Sequence, residues 1–145
     1  MWIRKQAQQP LILILLLVFL LGCSLADTDL AGTEWELVSL SGKDLIAGTG
    51  ITLNFADVYL GGEMNCNLYG GSPNSGKYRA TGDGTFTIIF PFAVTVQLCT
   101  EPEGIMEQEA AYIEALMNAA HYRILDHHLE FENEAGETIL IFQSK

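Results

Sequence analysis

The chain has 145 residues, 49% of them hydrophobic, with 18 acidic against 7 basic side chains and a net charge of −11. That length suits one ordinary domain, large enough to bury a core without metal staples. Nucleic acid and anionic lipid headgroups are poor partners: both need clustered cations, and Lys43, Lys77, Arg79, Arg123 and Lys145 stand singly along the chain.

The chain opens on the three-part layout of an export signal. Arg4 and Lys5 supply the positive end, and Leu11 to Leu21 is an unbroken apolar run. As a helix that run reaches roughly 17 Å, well short of the roughly 30 Å hydrocarbon core, so it suits a cleaved signal better than a permanent span. Leu20-Leu21-Gly22-Cys23 resembles the bacterial lipobox, where a small residue before the cysteine lets the chain enter a peptidase cleft. The alternative is an uncleaved anchor with an incidental cysteine. We therefore read 1–22 as a lipoprotein signal peptide, Cys23 as the lipidated residue, 23–29 as a tether and 30–145 as the domain. One acyl chain gives only reversible attachment, whereas the three that bacterial lipoproteins usually carry hold firmly to a membrane. Ser24, in place of an aspartate, favours the outer membrane where the cell has one. Cleavage removes Arg4 and Lys5 and no acid, which leaves 5 basic and 18 acidic side chains, a charge of −13.

Beyond the tether the pattern is that of half-buried strands. Within Thr33 to Leu40, Trp35 and Leu37 share a face opposite Glu34 and Glu36. Ile51, Leu53 and Phe55 alternate with Thr52 and Asn54, and glycine-rich turns flank Asp57 to Leu60. Gly82-Asp83-Gly84 reads as a tight hairpin turn ahead of alternating Phe86, Ile88 and Phe90. Met106, Ala110, Ile113, Leu116, Met117 and Ala120 recur at helical spacing and define one apolar face. Thr100 with Glu103 resembles a capping box, Pro102 suits a first turn, and the helix should run from between Glu101 and Met106 to about Asn118. Strands follow at His121 to Leu125, Leu129 to Glu132 and Thr138 to Phe142. The fold class is mainly β (α+β): a small antiparallel sheet or barrel with one packed helix. A βαβ rhythm is absent, which argues against a doubly wound nucleotide fold.

Once Cys23 is lipidated, Cys66 and Cys99 remain. An even remainder in an exported chain points to a disulfide, with two free thiols as the alternative. Neither sits in a C-x-x-C arrangement, so a metal pair is poorly supported. Asp126-His127-His128 could suggest a metal cluster. Adjacent strand residues point to opposite faces, however, and a turn explains the triplet more simply. His121 suits the negative end of the helix dipole better than catalysis. No serine sits in a nucleophile elbow, and a strongly acidic setting disfavours a cysteine thiolate. Catalytic residues, metal ligands and cofactors are therefore all assigned as none. Asn65, Asn67 and Tyr69, within Glu63 to Tyr69, are the candidate binding surface, because they combine hydrogen-bonding groups with a ring. The structural alternative is that the asparagines hold a turn and Tyr69 packs.

Several segments taken in order carry a family resemblance. Leu30-Ala31-Gly32-Thr33-Glu34-Trp35-Glu36-Leu37, Gly62-Glu63-Met64-Asn65-Cys66-Asn67-Leu68-Tyr69-Gly70-Gly71 and Ala93-Val94-Thr95-Val96-Gln97-Leu98-Cys99 come first. Glu101-Pro102 with Met106-Glu107-Gln108-Glu109, then Tyr122-Arg123-Ile124 and Leu129-Glu130-Phe131, complete the series. Together they resemble the META domain family, which includes the HslJ-type bacterial heat-inducible proteins. Asn65 departs from the family's glycine and Gln97 from its methionine. The resemblance implies a lipocalin-like barrel with an added helix, strengthens the Cys66–Cys99 pairing, and brings no catalytic mechanism. With the anchor and the lack of catalytic residues, it leads us to expect a non-enzymatic, lipid-anchored envelope domain, its oligomeric state open with a monomer favoured, with an envelope protein as its partner or a role under envelope stress. A carrier of a small apolar ligand inside the barrel is the second reading, and an enzyme the third.

Overall fold

Trp35, Leu37 and Leu40 turn inward from β1 (Glu34–Leu40), while Glu34 faces water. This one-sided alternation seeds the sheet. The computed structural model describes residues 30–71 and 75–145; the signal segment, Cys23 and the tether lie outside them. The other strands are β2 (Thr52–Phe55), β3 (Leu60–Glu63), β4 (Leu68–Gly70), β5 (Tyr78–Ala80), β6 (Phe86–Ile88), β7 (His121–Leu125), β8 (His128–Glu132) and β9 (Thr138–Ser144). Among the described residues one helix, α1 (Ile105–Met117), stands between β6 and β7 in the chain.

Seven strands form one antiparallel sheet in the order β4-β3-β2-β1-β9-β8-β7, and β5 pairs with β6 in a separate hairpin. Register shifts at Leu37/Ser39 and at Phe131/Glu132 mark irregularities of the kind that bend a strand. The hairpin lies between the two sides of the curved sheet. Leu60 and Tyr78 donate N–H bonds to Gly76 and Val58 on one side, and Phe86 and Tyr122 donate to Ala120 and Gly84 on the other.

The expected barrel is not formed, since β4 and β7 end the main sheet and do not pair with each other. Among the described residues the hairpin's ladder pairing with its neighbours consists of the isolated bridges Tyr59–Lys77 and Thr85–His121. A barrel needs an unbroken ladder round its circumference, which strands of three residues joined by single bridges do not supply. The coarser expectation, a mainly β fold with one helix, holds for the described residues.

The core is a connected run of rings on the concave side of the sheet. Phe86 meets Phe131 at 4.7 Å between centroids, and Phe131 meets Phe142 at 6.0 Å. Phe142 meets Tyr112 of α1 at 6.3 Å, and Tyr112 meets Tyr69 of β4 at 5.4 Å. Edge-to-face pairs of this kind add about 0.5–1.5 kcal/mol each beyond their area. The helix packs against β1 and β9.

Four local expectations need correction. Gly61 and Gly62, expected in a turn, run through β3, because a Cβ on Gly62 would overlap the Thr52 carbonyl. The helix has no Thr100 capping box: its N-cap is Gly104, at φ 84°, without a side-chain cap, and Pro102 lies ahead of it. His121 begins β7, in the strand expected over His121 to Leu125, and not at the end of the helix. The buried face of α1 keeps Leu116 from the expected one but is otherwise turned to Ile105, Gln108, Glu109, Tyr112 and Ala115.

Candidate functional site

Two buried polar residues explain why the helix is turned. Glu109 and Asn67 are each only 3% exposed. The Glu109 carboxyl accepts the backbone N–H of Cys66 (2.5 Å) and of Asn67 (3.2 Å) on Oε1, and the Asn67 side-chain amide (2.8 Å) on Oε2. Beside it, Gln108 accepts the Ile46 N–H at 2.7 Å and donates to Thr49 Oγ1 at 3.0 Å. One turn of helix thus holds the start of β4 with one side chain and the loop after β1 with the other. Burying these groups is favourable only because each finds partners.

Asn67 substitutes for a peptide unit. Its Oδ1 accepts the Gln97 N–H at 2.8 Å and its Nδ2 donates to the Gln97 carbonyl at 3.2 Å, as a backbone neighbour in a ladder would. Thr95 Oγ1 also donates to Oδ1 at 2.8 Å. Both lone pairs and both amide hydrogens of Asn67 are therefore used. Residues 93–99 are held this way instead of by a regular ladder. The backbone contributes Thr95 N–H to Leu68 O, Gly70 N–H to Ala93 O and the isolated Tyr69–Val94 bridge.

Cys66 and Cys99 form a disulfide with an S–S distance of 2.06 Å, the pairing anticipated above. It ties the start of β4 to the end of the 93–99 segment and closes the same unit covalently.

Tyr69 completes the interior. Its hydroxyl donates to the Thr52 carbonyl at 2.7 Å, so the 2.6 Å contact with Tyr112 has Tyr112 as donor. Burial pushes the Tyr69 hydroxyl well above its ordinary value, an effect reduced by the bond from Tyr112. Tyr112 is raised too, first by burial and then by its proximity and bond to Tyr69. Both are held neutral.

The three candidate surface residues therefore divide. Asn67 and Tyr69 are buried and saturated by internal partners, which corrects their assignment to an exposed binding surface. Asn65 is exposed, and its Oδ1 accepts the Gly50 N–H at 2.5 Å. Among the described residues only Ser41 and Asp126 carry positive φ outside glycine, so Asn65 does not take the left-handed backbone of a glycine. Gln97, which stands where the family has methionine, is exposed.

Asp126 and His127 turn the chain between β7 and β8, and His128 opens β8 opposite Leu125. Among the described residues no group of three or more His, Cys, Asp or Glu is placed to hold a metal. In the β5–β6 turn, bonds from the Thr81 hydroxyl and the Thr85 N–H hold the Asp83 carboxyl down to about 2.

The outer side of the same unit is apolar. Val96 is 92% and Leu98 89% exposed, and Val94 is partly exposed beside them. With Met106, Ala110 and Ile113 of α1 they line an open groove of about 510 Å³. These helix residues belong to the apolar face read from the sequence; here Ala110 is exposed and Met106 and Ile113 are half-buried. The groove was not foreseen, although the alternation of Val94, Val96 and Leu98 was visible.

The sequence profile of the META domain matches residues 28–145, most of the chain and all of the fold described. The chain belongs to the META domain family. One NMR structure of a protein covers 79% of this chain and 90% of its own length, with a TM-score of 0.58 and 20% identity. The NMR structure of a protein from Burkholderia xenovorans covers 80% of this chain and 83% of its own, with a TM-score of 0.59 and 24% identity. At these identities the likeness carries the fold alone. No curated protein matches this META domain.

Proposed function

We propose that this META domain protein is an HslJ-like lipoprotein of the cell envelope, held at a membrane by lipid on Cys23, that works by binding and not by catalysis. The observation that carries the reading is the division of its three cysteines. Cys66 and Cys99 consume each other, which leaves Cys23, behind Leu11 to Leu21 and Gly22, as the remaining thiol for lipid. The disulfide also takes both internal cysteines out of nucleophilic chemistry. No helix among the described residues is long and apolar enough to cross a membrane, so attachment there would rest on the anchor. Asn67 and Tyr69 spend their polar groups on internal partners, while Val94, Val96 and Leu98 beside them present an exposed apolar strip. Such a distribution suits an envelope protein partner or a supporting role under envelope stress. The aromatic filling of the sheet's concave side weighs against a carried apolar ligand.

Intact mass of the membrane-extracted protein tests the anchor. The expected product begins at Cys23 and carries a diacylglyceryl group and acyl chain, and Cys23→Ala leaves an unlipidated chain. A wild-type mass without lipid would remove the anchor, and a deletion strain indifferent to heat and envelope stress would remove the stress role.

A further inference from the structure

Segment 93–99 has two unlike edges. On the inner edge, Ala93, Thr95 and Gln97 bond to β4 and to Asn67. On the outer edge, the N–H and C=O groups of Val94, Val96 and Leu98 have no hydrogen-bond partner among the described residues. The segment is thus an open strand edge that displays unpaired backbone at alternate positions. Natural sheets usually blunt such edges with lysine, proline or a covering element, since they template pairing with another chain. Here the edge presents Val96 and Leu98 almost fully exposed.

The surface beside that edge gives the chemistry of its occupant. The groove between the edge and α1 is lined by Val94, Val96, Leu98, Met106 and Ile113, with Glu114 at its border. Glu107, exposed on the same side of the helix, lies two turns before Glu114. No Lys or Arg occurs between Arg79 and Arg123, while Glu101, Glu103, Glu107, Glu109 and Glu114 all fall in that interval. A second copy would bring a similar acidic border against this one, and an anionic bilayer would be repelled by it.

We propose that the Val94–Leu98 edge is a β-augmentation site for an extended segment of a partner protein, with alternate apolar residues and flanking Lys or Arg. Its backbone pairs with Val94, Val96 and Leu98, its apolar side chains enter the groove, and its cations meet Glu107 and Glu114. The disulfide and Asn67 hold the edge in place from behind. The proposal rests on the binding role put forward above but not on the lipid anchor.

The probe is an acetylated, amidated nine-residue peptide alternating valine with lysine and threonine, titrated by fluorescence anisotropy onto the full-length chain in uncharged detergent. The expected result is saturable binding that weakens with salt. It should fall by about tenfold or more with glutamate replacing lysine, with alternate backbone nitrogens methylated, or with the variants Val96→Lys and Leu98→Lys. Those side chains are exposed, so the variants should keep the wild-type melting temperature, which is checked alongside. Absence of binding overturns the proposal, as does equal binding of the glutamate or methylated peptide. A concentration-dependent dimer abolished by Val96→Lys would assign the edge to a second copy. Flotation with phosphatidylethanolamine–phosphatidylglycerol vesicles, lost in the same variant and seen with unlipidated chain, would assign it to the bilayer. Failure of peptide binding in a preparation of lipidated mass overturns the edge alone, and peptide binding by a membrane-extracted wild-type chain whose mass lacks lipid overturns the anchor alone.

Discussion

The two sides of the unit formed by α1, the start of β4 and segment 93–99 reverse the usual arrangement. Inside, Glu109, Asn67, Tyr69 and Tyr112 are buried and every polar group is met. Outside, Val96 and Leu98 are open to water, and half-buried Met106 and Ile113 of the helix line the groove beside them. A polar interior supplies less apolar burial than hydrocarbon would, and its groups are costly when unpaired. What it supplies is position: directional bonds from three chain segments define where segment 93–99 lies. The comparison teaches that stability and recognition are separated here, with the inner side holding the edge and the outer side displaying it.

The largest effect should come from removing the covalent part of the inner side. The two cysteines are 33 residues apart, and in the chain-entropy account opening such a loop costs about 3–4 kcal/mol. Cys66→Ser with Cys99→Ser should lower stability to denaturant by that amount. Amide exchange should rise first at Thr95 and Gln97, whose N–H groups bond across to β4 and Asn67. If exchange instead rose evenly over the sheet, the disulfide would be a general staple and the contrast between the two sides would lose its basis.

Next comes Glu109→Ala, which strands the Cys66 and Asn67 N–H groups and the Asn67 amide in a dry site. Unsatisfied buried donors cost about 1–3 kcal/mol each when relaxation is incomplete, so a loss of about 3 kcal/mol is expected from chemical denaturation. Glu109→Gln keeps an acceptor and should lose about half of that. A loss below about 1 kcal/mol for the alanine would show that water reaches the site and that the polar interior is not dry.

A smaller effect with a distinctive pH signature belongs to the tyrosine pair. Both hydroxyls are raised above the ordinary 10.0 by burial, so the unfolded chain ionises first. Their contribution is complete below pH 10 and is lost progressively as pH rises beyond it, because only the unfolded state then releases protons. Tyr112→Phe should cost about 1 kcal/mol at neutral pH, for the bond it donates to Tyr69, and should make the alkaline decline shallower. Urea midpoints between pH 8 and 11 read both. An unchanged alkaline slope in the variant would mean that Tyr112 is not part of the closed interior.

Much of this fold is written in local pattern. The alternation of Trp35 and Leu37, and of Leu129 and Phe131, gives strands close to the expected ones, since one wet face and one dry face leave a single register open. Gly61 and Gly62 mislead, because glycine signals a turn locally, whereas here it permits a close backbone approach visible only when Thr52 is in place. The helix face misleads for the opposite reason. Apolar spacing selects Met106, Ala110 and Ile113, but Gln108, Glu109 and Tyr112 have partners more than 40 residues away that make their burial favourable. Asn65, Asn67 and Tyr69 look alike as polar residues in a row. Only the position of Gln97 and Thr52 decides which of them are consumed inside.

The smallest effect is the one that sharpens the comparison most. Val96→Lys and Leu98→Lys replace side chains that are 92% and 89% exposed, at positions with little packing to lose. Changes of this kind usually stay within about 0.5 kcal/mol, so the melting temperature and urea midpoint should match wild type. If instead either lysine destabilised the fold by more than about 1 kcal/mol, the outer side would be contributing to the core, and the division of labour would fail. Neutral stability together with lost strand binding is the combination that only a displayed edge produces. A residue kept for packing cannot give the first result, and a residue kept for solubility cannot give the second.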